Sequence, residues 1–276
     1  MATATRSRVS VGEFSDLAFL ARLYEYSQKN RVATASHLEN LKARGREDPF
    51  LEGIMSQYAS IEDMLEKRIA RQVEAHPVWT AWACRVKGCG ALTLGRMMAR
   101  CIRYYPGLDK LREDEQQPCS ARIGDGQRCG RTDAHYHGIE QFETASQLRA
   151  HAGQAPGQRL KKDEKVWWDP RLKVACWLMA QNLRRGKGKF YDFYIQKKEM
   201  IRAEWEAREG RAIGPKKEKG ELGDLDIDLR AMKKMVQVFL VVLWVVWREA
   251  EGYSVRPSYA QEKLGHTDTQ PEDWVE

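Results

Sequence analysis

Two cysteines and two histidines in "PCSARIGDGQRCGRTDAHYH", residues 118–137, carry the most specific chemistry in the chain. Nine residues separate Cys119 from Cys129, and His135 and His137 follow within eight of the second cysteine. Two thiolates and two imidazoles form a sufficient tetrahedral set for structural Zn2+, and the loop between the cysteines has little else to order it. Four protein ligands would leave no open coordination position, so the site would be structural and not hydrolytic. The spacing is not that of a standard finger, and a surface loop with incidental Cys and His is the competing reading. Cys84 and Cys89 form a second pair, read as small core residues.

A second candidate is the corner "RVKGCGALTLGRMM", residues 85–98, where Lys87 precedes Gly88 and Gly90. Glycines tolerate unusual backbone angles, and the N–H groups that open the following helix are unpaired donors at the positive end of its dipole. A phosphate could dock there without any side chain. The same pattern also serves simply to pack two helices, and both readings stand. Asp224, Asp226 and Asp228 could suggest metal-dependent chemistry. They alternate with Leu225, Ile227 and Leu229 just before an apolar helix, where acids act as caps.

Positive charge is concentrated between these features. Residues 157–189 contain ten Lys and Arg against three Asp and Glu, an excess equal to the formal net charge of +7 for the whole chain. Lys161, Lys162, Lys165, Arg184, Arg185, Lys187 and Lys189 lie there, together with Trp167 and Trp168. Cations that neutralise phosphates, interleaved with rings that can stack on bases, are the ingredients of a nucleic-acid surface. A solvated basic loop with tryptophans in the core is the alternative.

The elements that must position these residues are helical. Leu17, Leu20, Leu23 and Tyr24 mark one face of a first long helix, and Ile54, Tyr58, Ile61, Leu65 and Ile69 mark a second, with Pro49 suited to its first turn. Residues 13–76 are therefore expected to form an antiparallel hairpin of coiled-coil type. Its stripe would be covered by a second copy of the chain, giving a homodimer, or by the protein's own body. Residues 77–252 follow as a helical domain: a short helix, the glycine corner, a second helix to about Tyr104, an insertion over 109–140, then helices broken at Gly186 and Gly188. Residues 213–223 read as a charged loop, and 253–276 as a tail. The expected class is all-α.

At 42% hydrophobic and 31% charged, the chain has the composition of a globular protein, not a disordered or fibrous one. The opening "MATATRSRVSVGEF" holds no apolar run of signal-peptide length, so a cytoplasmic location with reduced cysteines is expected. The thirteen residues "MVQVFLVVLWVVW", 235–247, fall short of the roughly 20 needed to span a bilayer and read as a buried helix, with no membrane partner.

The order of these pieces resembles the C-terminal part of the insertion-sequence-110 family of transposases. The resemblance is carried by "VKGCGALTLGRMMA", with the corner Lys87-Gly88-Cys89-Gly90; by "FETASQLRAHAGQAP", from Phe142 to Pro156; and by "DPRLKVACWLMAQNL", which opens Asp169-Pro170-Arg171-Leu172. It implies a coiled-coil hairpin, a helix-hairpin-helix, binding of DNA or structured RNA, and a link to DNA recombination. The family's RuvC-like nuclease carboxylates find no counterpart here, and no serine follows the run Gly153 to Pro156 within "GQRLKKDEKVWWDPRLK". Ser146 lies before that run and does not substitute. No catalytic residue is therefore expected. The alternatives are a subunit whose RuvC-like nuclease half is a separate chain, and a zinc-stabilised scaffold that binds protein.

Overall fold

The structure, a computed structural model, describes residues 11–123, 127–155, 164–210, 223–256 and 270–276. Two long helices open it: α1 (Val11–Lys42) and α2 (Pro49–Glu74). The break between them is local chemistry, since Pro49 takes the first helical position and the Asp48 carboxylate accepts from Leu51 N at 3.1 Å. The pair runs antiparallel, fixed by Arg31 donating to Glu62 at 2.7 Å and by Lys42 against Glu52 at 3.1 Å. Leu17 and Tyr24 of the predicted stripe are buried, as is Ile69. Leu20, Ile54, Tyr58 and Leu65 are only half-buried, and Leu23 and Ile61 are exposed. Farther along the hairpin Val32, Phe50 and Met64 also face outward.

The buried end of the hairpin packs on α4 (Ala91–Arg100). Contact there is close: a methyl group added at Gly95 would meet Ile69 Cγ2 at 2.7 Å and Val73 Cγ2 at 2.8 Å. The centre of the core is α8 (Asp224–Ala250), with Met235, Phe239, Leu243, Trp244 and Trp247 all buried. The short α3 (Pro77–Ala81), α5 (Ala145–His151), α6 (Pro170–Gly186) and α7 (Lys189–Glu209) surround it. A helix apolar on nearly every side is stable in water only when enclosed in this way. Among the described residues no helix is long and apolar enough to cross a membrane.

Local signals set the remaining boundaries. Thr144 and Gln147 form a reciprocal capping box at α5, and the Asp169 side chain accepts from Arg171 N and Leu172 N at the start of α6. Of the three acids before α8, Asp226 caps by accepting from Gly223 N at 3.2 Å, whereas Asp224 pairs with Arg202 on α7. Asp228 ties three elements, accepting from Arg184 on α6 and from Tyr194 and Lys198 on α7. The charged run 213–223 lies, apart from Gly223, outside the described residues.

The helix after the glycine corner ends at Arg100 and not near Tyr104. Arg103–Tyr105 instead form strand β1, paired antiparallel with β2 (His135–His137). The cross-strand pairing wins because it sets Tyr105 opposite His135, ring centroids 5.1 Å apart, and closes the insertion at its base. The body is thus all-helical, and the two-stranded ribbon belongs to the insertion. Residues 271–274, within the predicted tail, form a single turn on the core, where Trp274 stacks on Phe190 at 4.5 Å.

Candidate metal centre and cationic surface

Cys119, Cys129, His135 and His137 converge, with ligand atoms all within 4.8 Å of one another. Two small backbone devices bring them together. The histidines are two apart on β2, so both imidazoles leave the same face of the strand. The cysteines face each other across a hairpin held by Cys119 N to Arg131 O, Gly130 N to Cys119 O, Cys129 N to Ala121 O and Ile123 N to Gln127 O, all at 2.8–3.0 Å.

The separations suit a tetrahedral cation. Cys119 Sγ lies 3.2 Å from His137 Nε2, Cys129 Sγ lies 3.2 Å from His135 Nε2, and the two Nε2 atoms are 2.9 Å apart. Metal–nitrogen bonds of about 2.0 Å and metal–sulfur bonds of about 2.3 Å call for edges of roughly 3.3–3.8 Å, a small expansion of this cluster. Each imidazole is also oriented from behind. His135 Nδ1 is 2.7 Å from Asp133 O, and His137 Nδ1 is 3.0 Å from Glu140 Oε1. A proton on each Nδ1 satisfies those acceptors and leaves both Nε2 lone pairs directed at the centre. Glu140 is itself fixed, accepting from Gly138 N at 2.8 Å. Burial raises the Cys119 thiol above its ordinary value, a penalty that a bound cation reverses. Among the described residues of 103–138 the only buried apolar side chains are Cys119 and Ala121, so the insertion has no hydrophobic core of its own. The cluster is a Cys2His2 site able to hold a metal ion.

Cys84 and Cys89 are not alike: Cys84 is exposed, whereas Cys89 is buried and its thiol is pushed up to about 12. They remain outside the cluster.

At the glycine corner the two glycines have different surroundings. Gly88 has φ +87°, and a methyl group there would collide with the Asn182 carbonyl of α6, 2.8 Å from its carbon. Gly186 answers from the other side, where an added methyl would come within 2.6 Å of Gly88 N. This pair lets the corner press against the end of α6, which is packing chemistry. Gly90 caps α4 with open space beside it. Lys87 binds Glu276 Oε2 at 3.1 Å, and Glu276 Oε1 accepts from Lys189 N at 3.1 Å. A carboxylate therefore occupies the first turn of α7, where an anion is favoured.

The basic segment divides along α6. Lys161 and Lys162 lie outside the described residues. Lys165 is exposed, as is Trp167 at 60%. Arg184 is engaged with Asp228 at 3.0 Å, while the side chains of Arg185, Lys187 and Lys189 are exposed, Lys187 in a left-handed conformation that ends α6. The outer face of α6 adds Arg171, Lys173, Val174 and Trp177, all exposed. Helical spacing could have suggested Trp177, three residues beyond Val174 on the same face. Glu140 was signalled by its place three residues after His137. The long-range partnership of Glu25 with Arg96, Arg100 and Arg171 had no local signal.

Comparison of the chain with protein-family models, with curated proteins and with solved structures finds no match.

Proposed function

We propose that this chain is a nucleic-acid-binding protein of transposase descent, not catalytic on its own, with an insertion organised by structural Zn2+. The observation that carries the reading is the outer face of α6. There Arg171, Lys173, Trp177 and Arg185 are exposed along the helix, and the exposed Trp167 lies three residues before its start. Such a surface offers phosphate oxygens charge-assisted donors and offers bases something to stack on. Backbone contacts would dominate, so DNA and structured RNA both fit it. The transposition link rests on the short runs at the corner, at Phe142 to Pro156 and at Asp169 to Leu172. Zinc is the proposed ion because two thiolates and two imidazoles at tetrahedral separations suit it best. Exposed Phe50, Ile61 and Met64 support self-association through the hairpin.

Fluorescence anisotropy with labelled single strands and duplexes tests the reading. Binding should weaken steeply with salt, and Arg185→Glu with Lys187→Glu should reduce affinity at least tenfold at fixed salt. A chain that binds neither probe at low salt, or a charge-reversed variant that binds as well as the original, would overturn it.

A further inference from the structure

We propose that the groove between α1 and α6 is a phosphate site for one unpaired nucleic-acid strand, with Tyr26 as the platform for an adjacent base. This deepens the proposed nucleic-acid reading and rests on it. The groove is open, about 520 Å³ in volume, and lined by Glu25, Tyr26, Gln28, Lys29, Arg96, Arg171 and Val174. Of its residues only Arg96 lies within the corner run 85–98, and none belongs to the Cys2His2 cluster.

Its charge is unbalanced. Glu25 on α1 is the single carboxylate in the lining, and three guanidinium groups converge on it. Arg100 on α4 binds Oε2, Arg171 on α6 reaches the same oxygen at 3.2 Å, and Arg96 lies 3.9 Å from Oε1. Lys29, one turn along α1, is exposed. One carboxylate is matched by one guanidinium, and Arg100 supplies that match from outside the groove. Arg96, Arg171 and Lys29 are left as surplus positive charge on the lining. Arg96 carries an independent sign of a missing acceptor: its Nε is buried without a hydrogen-bond partner. Buried donors in that state are uncommon, and the 3.9 Å contact of Arg96 with Glu25 is made through Nη2 and leaves this one unmet.

The rim decides which anion. Tyr26 is 53% exposed, with the Arg171 guanidinium 5.8 Å from its ring centroid, and Val174 stands exposed beside them. Planar guanidinium forks match phosphate oxygens, and an open tyrosine ring next to them can take a base face. Only an unpaired base presents that face, so the geometry favours a single strand over a duplex. The groove is continuous with the exposed face of α6 through Arg171 and Val174.

The test uses the full chain and a fluorescein-labelled oligothymidine of about 16 nucleotides, with the matching duplex as comparison. Arg171→Gln should weaken single-strand binding about tenfold or more and lower the salt slope by about 0.7. Tyr26→Ala should weaken it by about fivefold or more and leave the slope unchanged. Lys29→Gln, at an exposed position with no ion pair among the described residues, guards against loss of fold and should lower the slope like Arg171→Gln. Duplex binding should respond less to Tyr26→Ala. If all three variants bind as the original does while Arg185→Glu with Lys187→Glu weakens binding, the groove assignment falls and the nucleic-acid reading stands. If the unaltered chain binds the duplex but not the single strand, only the groove assignment falls, and if it binds neither, both fall.

Discussion

Replacing Cys119 and Cys129 by Ser should release the insertion from the protein while leaving the helices intact. The magnitude follows from what else holds residues 103–138. Burial of the Ala121 methyl contributes about 0.8 kcal/mol, whereas structural Zn2+ in Cys2His2 peptides contributes about 10–16 kcal/mol at neutral pH. The β1–β2 ribbon pairs only three residues on each strand, and an isolated two-stranded ribbon is marginal in water. With the proposed cation bound, its removal would therefore take away most of what keeps the insertion folded. Unfolding should stop at sharp limits. Gln141 donates to Cys101 O at 2.6 Å, Ile139 is fully buried, and Phe142 O accepts from Trp244 Nε1 at 2.8 Å and Arg248 Nη1 at 3.0 Å. Elemental analysis should find one zinc per chain, lost in the double variant. Hydrogen exchange should rise in peptides between Tyr105 and His137 and stay unchanged in α8, with the helical circular dichroism retained. Glu140→Gln should give a graded result, weakening zinc affinity about 10- to 100-fold through His137. Retention of a full equivalent of zinc by the double variant would refute the reasoning, as would unaltered exchange protection in metal-free protein.

Two further outcomes follow from the packing. Gly88→Ala should destabilise the fold by at least about 2 kcal/mol, because it combines a positive φ with a collision at Asn182. Gly90→Ala, facing open space, should cost less than about 1 kcal/mol, and denaturant titration of both separates packing from ligand binding at the corner. Burial, aided by the Glu140 charge, pushes Glu251 from 4.5 up to about 7, so the folded chain holds a proton that the unfolded chain releases. That contribution is complete below about pH 4.5 and lost as pH rises through 7. His76, drawn down to about 4 by burial, acts in the opposite sense between pH 4 and 6.5. Glu251→Gln should therefore gain stability over the original chain as pH rises, by up to about 3 kcal/mol near pH 8, as read by thermal melts from pH 5 to 8. An advantage independent of pH would contradict the assignment.

The Cys2His2 cluster was legible in the sequence because its four residues are close along the chain and strand alternation alone turns His135 and His137 to one side. The helices were legible from periodicity and from Pro49, Asp169 and the glycines at the end of α6. What periodicity could not supply was the strand at Arg103–Tyr105, since that stretch gains its conformation from pairing with residues about thirty positions later. Nor could it separate Gly88 from Gly90. Both are glycines at a corner, yet one is required by the α6 backbone, whereas a methyl group added at the other would meet nothing within 4 Å.

Positive charge is likewise open at some positions and answered at others. At the C-terminal end of α6 two cations are answered internally, Lys87 by Glu276 and Arg184 by Asp228, whereas Arg185, Lys187 and Lys189 stay exposed. The Glu276 carboxylate already holds the amide at the start of α7 that a phosphate would seek, so a ligand there would have to displace a protein group. At the N-terminal end the balance differs. Glu25 is shared among three guanidinium groups, and Lys29, Lys165 and Lys173 stand exposed around it and around Trp167. Lys173 lies 4.8 Å from the centroid of the Trp168 ring, which positions the ammonium without neutralising it. An incoming phosphate displaces no carboxylate from Lys29 and meets the surplus already assembled around Glu25. A cation already paired must lose that partner before it gains a phosphate, so equal numbers of basic residues at the two ends do not give equal affinity. On the proposed nucleic-acid reading, Lys29, Lys165 and Lys173 at one end and Arg185, Lys187 and Lys189 at the other are the cations a phosphate meets without displacing a carboxylate, and the glycine corner contributes chiefly by setting where α6 stops.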